Sequence, residues 1–377
     1  MSNNFKRIAV LTSGGDAPGM NAVVRAVTRY ALSAGVEVVG VYEGYKGLMA
    51  GDMKLFKERD VSNIITHGGT MLYSARSDEF RYEEGLQKAL KTCRDNGIDG
   101  LVAIGGDGTF RGATDLSVRG LPCIGIPATI DNDISATDAT IGCDTAMNTT
   151  IEMVDRLRDT CESHARCNVV EVMGRHCGYI ALHSGIAVGA SAVLMPEIEF
   201  NEQQIIDKLL ASKAYGKRNF IILVSEGLGD YGIEFTKRIE EATGIESRFA
   251  RLAHVVRGGS PTLRDRVMGS EMGVEAVKLL LSGKSNRVVC LRDNKIVDID
   301  INYAELGFIS RNITVAIVRD GVVVDKKHIE LPEKLVDVLK CKNPRCITTT
   351  EQDIKHIFRL TNRENGTYRC IYCDAEA

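Results

Sequence analysis

Two glycine-rich runs, an aspartate inside one of them, a spaced pair of aspartates and a scatter of arginines are the residues whose types could do chemistry together. The runs are Ser13-Gly14-Gly15-Asp16-Ala17-Pro18-Gly19 and Gly105-Gly106-Asp107-Gly108-Thr109. Glycine between a strand and a helix lets backbone N–H groups close on a phosphate at the positive helix end. Two such loops suit a polyphosphate, although either alone also serves as plain turn chemistry. Neither reads GxGxxG after the first strand or GxxxxGK[ST], so dinucleotide binding and the P-loop are disfavoured. Asp107 strengthens the phosphate reading, because a carboxylate beside a phosphate cradle is repulsive unless Mg²⁺ sits between them. In Thr129-Ile130-Asp131-Asn132-Asp133 the two carboxylates can face one way, as a base and its electrostatic partner. The same segment also suits an Asx-rich turn capping a helix. Arg76, Arg166, Arg175, Arg248 and Arg257, with His254 nearby, offer the bidentate donors that grip phosphate and neutralise a phosphoryl transition state. A lone arginine reads as a solvated charge. Several beside glycine-rich segments, as in MGRHCG and VVRGGSP, read as an anion site.

A second constellation lies near the end of the sequence, in Cys341-x₄-Cys346 and Cys370-x₂-Cys373. Two close thiolate pairs separated by a hairpin-length insert fit a tetrahedral structural Zn²⁺, with four unrelated cytosolic thiols as the alternative. The seven earlier cysteines show no recurring spacing and read as free, mostly buried thiols of a reducing compartment.

These residues need elements to position them. Short apolar runs (RIAVLT, VEVVGVY, GLVAIG, PCIGIP, NVVEVM, SAVLMP and NFIILVS) alternate with helical patterns such as NAVVRAVTRYALSAG and NEQQIIDKLLASKAYG. Several runs are apolar throughout, as parallel strands buried on both faces must be. The rhythm predicts an α/β fold with two doubly wound parallel-sheet lobes, whose ligands gather at the carboxyl ends of strands. Each candidate group stands there: Ser13–Gly19, Gly105–Thr109, Ala128–Asp133, Gly174-Arg175-His176 and Glu226-Gly227 each come directly after a strand. From about 311 the texture changes to VAIVRDGVVVDKKHIELPE, a hairpin with Asp320-Gly321 as its turn. The expected domains are therefore 1–310, with two α/β lobes, and 311–377, a small antiparallel zinc-binding β domain.

The bulk numbers frame these readings. At 377 residues the chain is too long for one lobe, since domains average about 150 residues. A formal net charge of -3 argues against a nucleic-acid coat. No apolar run approaches the roughly 20 residues of a membrane span. The opening apolar stretch, Ile8 to Leu11, is too short for a signal peptide, so a cytoplasmic location is expected.

LTSGGDAPGMNAVVRAV, GGDGTFRGA, PATIDNDISATD, EVMGRHCGYIAL and HVVRGGSPTLRDR resemble, in this order, the phosphofructokinase family from residue 7 to about 300. The resemblance implies transfer of the γ-phosphoryl of ATP to the 1-hydroxyl of fructose 6-phosphate, in glycolysis. It implies that Gly15, Arg76 and Gly106, Asp107, Gly108 and Thr109 hold the nucleotide, with Asp107 on Mg²⁺. Asp131 becomes the base, flanked by Thr129 and Asp133, and Arg175 stabilises the transferring group. Met173 and Glu226 hold the sugar, and His254 and Arg257 its 6-phosphate. Arg166 and Arg248 reach that phosphate from a neighbouring subunit, which implies a homo-oligomer, typically a tetramer. Arg25, Arg29, Arg158 and Lys217 match the phosphate-binding positions of the bacterial effector site. Glu58 stands there where an arginine is usual, and Ser191 where an acidic metal ligand is usual, which weakens the expectation of ADP activation or phosphoenolpyruvate inhibition.

Two positions bear on the donor. Ala128 stands where ATP-using bacterial members usually carry Gly and pyrophosphate-using members Lys. ISATDATIGCDTAMN looks like the mixed ATP-or-pyrophosphate branch. Gly108 argues for ATP, since pyrophosphate users commonly place Asp there. The readings that stand beside an ATP-dependent enzyme are a pyrophosphate-dependent one and a non-catalytic scaffold acting through the tail. That tail, over about 313 to 377, resembles the zinc domain of the aspartate carbamoyltransferase regulatory chain, without its nucleotide-binding half. This implies a structural zinc and a surface for an unidentified protein partner, and does not imply nucleotide regulation.

Overall fold

The computed structural model describes residues 5–301 continuously and, beyond them, 314–319, 322–328, 334–336 and most of 341–375. The chain divides into two compact units, Met1–Leu306 and Gly307–Ala377.

The first unit opens with β1 (Arg7–Thr12), α1 (Met20–Ser33), β2 (Glu37–Val41), α2 (Gly44–Ala50) and β3 (Met53–Phe56). It continues through α3 (Glu83–Asp95), β4 (Gly100–Gly105), α4 (Asp107–Ser117), β5 (Cys123–Thr129) and β6 (Ile141–Gly142). Next come α5 (Cys143–His164), β7 (Cys167–Val172), α6 (Tyr179–Ala187), β8 (Ala192–Leu194), α7 (Glu202–Ala214) and β9 (Phe220–Ser225). It closes with α8 (Tyr231–Thr243), β10 (Ser247–Arg251), α9 (Leu263–Leu281), β11 (Arg287–Arg292) and β12 (Lys295–Asp300).

Two sheets result. The first runs β12-β11-β5-β4-β1-β2-β3, with β6 paired to β5, and the second β10-β7-β9-β8. Strands β4, β7 and β9 are buried at every residue, which is why their sequences are apolar runs rather than alternations. One hydrophobic core joins the lobes, bringing Val10 and Ile124 of the first sheet together with Val170 and Ile221 of the second. Separate clusters cover the other faces, around Leu101 and Phe110 on the first sheet and Val169 and Phe235 on the second. Helices α1 and α9 meet closely because Gly269 and Gly273 lack side chains where α1 backbone and Cβ atoms approach.

The doubly wound expectation holds at the centre of the first sheet and ends at its edges. Strand β3 pairs antiparallel with β2, and β12 antiparallel with β11. Asp293 and Asn294 between β11 and β12 both have positive φ, 49° and 58°. Two left-handed residues make the tight turn whose twist matches a hairpin, so no crossover helix is needed. Neither edge strand stands out in the sequence as a long apolar run.

Register explains why the candidate residues meet. Thr12 of β1 lies beside Ile104 of β4, and Gly105 beside Pro127 of β5, all parallel. The three carboxyl ends are therefore level, and their loops face the same space.

In the second unit β13 (Thr314–Arg319) pairs antiparallel with β14 (Val322–His328). The expected turn, Asp320-Gly321, lies outside the described residues. Strand β15 (Lys334–Val336), the short α10 (Ile347–Thr350), β16 (Ile357–Asn362) and β17 (Thr367–Cys370) come next, the strands forming an antiparallel sheet in the order β15-β16-β17.

Candidate active site

A cavity of ≈ 740 Å³ opens above those level strand ends, lined by residues of both glycine runs, Arg76, Thr129, Asp131, Asp133, Arg175 and Arg257. The two glycine runs are tied together. Thr109 Oγ1 donates to Ser13 O at 3.0 Å, and Ser13 N donates to Ile104 O at 3.0 Å. A Cβ at Gly105 would strike Ser13 O and Thr109 Oγ1, so only glycine permits this closure. Asp107 begins α4, where the helix dipole favours an anion, and its first-turn N–H groups point toward the cavity end. Beneath the loop, Tyr45 and Phe80 stack at 4.1 Å, and Tyr45 Oη donates to Thr109 O at 2.5 Å. Gly112 has no side chain because these rings occupy its place.

Opposite the cradle stands the aspartate pair. Asn132 between them adopts φ 50°, a left-handed conformation that asparagine tolerates better than most residues. Its Oδ1 accepts from Thr140 N at 2.8 Å and Thr140 Oγ1 at 3.2 Å, and Thr140 Oγ1 also donates to Thr129 O at 2.6 Å. The turn thus held turns both carboxylates toward Arg175: its Nε lies 3.3 Å from Asp131 Oδ2 and its Nη1 4.0 Å from Asp133 Oδ2. Asp131 is only 3% exposed at its side chain, and its Oδ1 is buried without a hydrogen-bond partner. Burial, with the Asp133 charge adding to it, raises Asp131 above the ordinary carboxylate range, against the pull of Arg175 and Arg257. Burial and Asp133 raise Asp107 likewise. Asp107, Asp131 and Asp133 all line the cavity, and carboxylate oxygens are the ligands a hard divalent cation prefers.

Arg175 is itself strained. Its φ is 53° and that of Gly174 is 143°, and left-handed backbone costs an L-residue about 1–2 kcal/mol. Glu226 Oε1 offsets this by accepting both Gly174 N, at 3.0 Å, and Arg175 N, at 2.7 Å.

Glu226 also lines a second cavity, of ≈ 320 Å³, with Met173, His254, Glu171, Asp230 and Arg251. Arg257, which the resemblance groups with His254, lies instead against the first glycine run. Its Nη1 is 3.7 Å from Asp16 Oδ1, and a side chain on Gly15 would collide with it. Arg166 and Arg248 line neither cavity; both pair with Glu246, Arg166 at 2.8 Å. Arg158 donates to Asn219 Oδ1 at 3.1 Å and Lys217 Nζ to Ser191 Oγ at 3.3 Å, while Arg25 and Arg29 sit one turn apart on α1 and Glu58 in the turn after β3.

Sequence reasoning missed Asn132, Thr140 and Arg251, and also Asp265. Asp265 is fully buried and accepts Gly142 N and Thr145 N, both at 2.9 Å, and Thr145 Oγ1 at 2.5 Å. Gly142 at the start of α5 has no side chain to cap the helix, so a carboxylate from α9 does so. Only the position of Asn132 between two aspartates was a visible signal.

In the second unit the four cysteine sulfurs lie within 4.8 Å of one another. Cys341 Sγ is 3.4 Å from Cys373 Sγ, and Cys346 Sγ 3.7 Å from Cys370 Sγ. A tetrahedron with Zn–S of about 2.3 Å sets its sulfurs about 3.8 Å apart, so these thiols fit zinc.

A two-lobed α/β body with a polyphosphate cradle facing carboxylates and arginines is the build of a phosphoryl-transfer protein. Residues 7–280 match the family model for phosphofructokinase, and the chain belongs to that family. Residues 333–377 match the aspartate carbamoyltransferase regulatory chain, metal binding domain. The ATP-dependent 6-phosphofructokinase of Bacillus velezensis is 53% identical over 297 residues, covering 79% of this chain and 93% of that one. The Clostridium botulinum protein of the same name is 51% identical over 300 residues, covering 80% and 94%. Among solved structures, phosphofructokinase from Saccharomyces cerevisiae superposes with a TM-score of 0.75 at 36% identity over 80% of this chain. This chain spans 45% of that yeast chain's length. Pyrophosphate-dependent phosphofructokinase from Marinobacter aquaeolei, at 22% identity and a TM-score of 0.70, shares the fold. Among the described residues, no helix is long and apolar enough to cross a membrane.

Proposed function

We propose that this chain is an ATP-dependent 6-phosphofructokinase, moving the γ-phosphoryl of ATP to the 1-hydroxyl of fructose 6-phosphate. The observation that carries the proposal is one cavity in which a glycine cradle faces Asp131, whose buried Oδ1 is unpartnered, with Arg175 alongside. Gly15, Arg76, Gly106, Gly108 and Thr109 hold the nucleotide through backbone N–H groups and the arginine. Asp107 holds Mg²⁺, which when bound neutralises phosphate charge. Asp131 takes the hydroxyl proton as the sugar oxygen bonds to the γ-phosphorus and the bond to the β-phosphate oxygen breaks. Its raised position suits a base, because a stronger base accepts the proton more readily. Thr129 and Asp133 flank it, and Arg175 balances charge on the transferring group.

Met173 and Glu226, which line the second cavity, take the sugar, and His254 and Arg257 its 6-phosphate. Arg166 and Arg248, outside both cavities, serve a neighbouring subunit's 6-phosphate in a homotetramer. Arg25, Arg29, Arg158 and Lys217 form an altered effector site. Residues 1–310 make the catalytic domain and 311–377 a Cys₄ domain whose Zn²⁺ is structural and which meets a protein partner. The enzyme works in the cytoplasm. ATP is favoured as donor because Gly108 leaves open space at the cradle. A coupled assay of fructose 1,6-bisphosphate formation with ATP, with pyrophosphate and with neither tests the reading. Preference for pyrophosphate at matched Mg²⁺ refutes the donor, and no product in any arm refutes the enzyme.

A further inference from the structure

We infer that Glu226 is a positioning residue for Arg175: it holds the left-handed Gly174-Arg175 turn that aims the guanidinium at Asp131 and Asp133. The inference rests on the phosphoryl-transfer reading above and gives Glu226 a task beyond contact with the sugar. The geometry is specific. One carboxylate oxygen accepts two successive backbone N–H groups, at 3.0 and 2.7 Å, across a Gly-Arg pair whose φ values are both positive. Successive N–H groups in such a turn form a concave anion nest, and a carboxylate seated in it stabilises the turn. Arginine has no intrinsic liking for left-handed backbone, so an external anchor is needed to keep it there. The chain arrives at this anchor by parallel pairing: Val172 of β7 lies beside Ser225 of β9, so the residues just past the two strands face each other. Arg175 is half-exposed, so its direction depends on its backbone and on the two carboxylates it meets. With the turn released, the guanidinium would sample many orientations and reach the two carboxylates only part of the time.

A double-mutant cycle tests this, with sugar KM and kcat read separately and thermal unfolding checking each fold. Arg175→Ala is expected to lower kcat by about 10²–10³-fold, the loss typical of one transition-state donor. Glu226→Ala is expected to lower kcat by about 10-fold or more, and the double variant to lie within about threefold of Arg175→Ala. Glu226→Gln keeps an acceptor oxygen at the same reach and should recover part of the kcat that Glu226→Ala loses. The inference is overturned if the two losses multiply, or if Glu226→Ala raises the KM for fructose 6-phosphate and leaves kcat alone. Near-normal turnover in Arg175→Ala is a different result, one that overturns the assignment of Arg175 on which the inference stands.

Discussion

Gly108→Asp separates charge from shape at the centre of the cradle. Gly108 is the second residue of α4, and a Cβ built there meets no heavy atom within 4 Å. The substitution should therefore fold without collision, and an acid in a first helical turn adds about 0.3–1 kcal/mol through the dipole. Function should respond in the opposite direction. A carboxylate about 4 Å from a nucleotide phosphate, at an effective dielectric near 20, meets a repulsion of about 4 kcal/mol per unit charge. That converts to a fall of about 10³-fold in kcat/KM for ATP. Asp107 and Asp133 already repel one another at this end of the cavity, with Arg111 and Arg175 opposing them. Gly108→Asn is the neutral control of the same size and should lose less than about tenfold. Both variants would be assayed for fructose 1,6-bisphosphate formation over a range of ATP, with unfolding midpoints measured beside the parent. Equal losses in the two variants would mean that volume, not charge, controls the loop. An unimpaired Gly108→Asp would mean that the phosphates do not lie there.

The other tests address separate links of the argument. Asp131→Asn keeps the shape and removes the basicity, so turnover should fall by about 10²–10⁴-fold with the fold intact; near-parental turnover would move the base elsewhere. Because burial raises Asp131 and only its ionised form accepts a proton, kcat/KM should decline as pH falls through a value above the ordinary aspartate range. An acid limb at or below that range in the pH profile contradicts the assignment. Asp265→Ala leaves the buried N–H groups of Gly142 and Thr145 without their acceptor and should cost about 3 kcal/mol, read as a lower denaturant midpoint at constant slope; a loss under about 1 kcal/mol argues that water replaces the cap. Elemental analysis should find one zinc per chain, lost in Cys341→Ser with Cys370→Ser. Truncation after residue 312 should remove it and leave phosphoryl transfer largely unaltered, since every residue of the larger cavity lies in the first unit. Zinc retained by the double variant sinks the Cys₄ site.

Much of the site was legible because each of its groups belongs to a local pattern. A parallel strand buried on both faces must be an apolar run, and the segment after it must be a loop at the ligand end of the sheet. Ser13–Gly19, Gly105–Thr109 and Thr129–Asp133 could therefore be placed at one sheet edge from their neighbours alone, and the close Cys pairs near residues 341–373 announced a metal geometry. What no local pattern carried were contacts between residues far apart in sequence. Asp265 caps α5 from α9, Glu226 anchors Arg175 across two strand ends, and the Arg257 side chain settles beside Gly15. The antiparallel edges also escaped notice, because β3 is four residues long and no residue of β12 is fully buried, leaving little hydrophobic signal. By itself the sequence determined the elements and which residues cap their ends, since propensity and burial act over a few neighbours. Only the tertiary structure decided which of those ends meet, since strand register and helix packing bring distant charges within reach of one another.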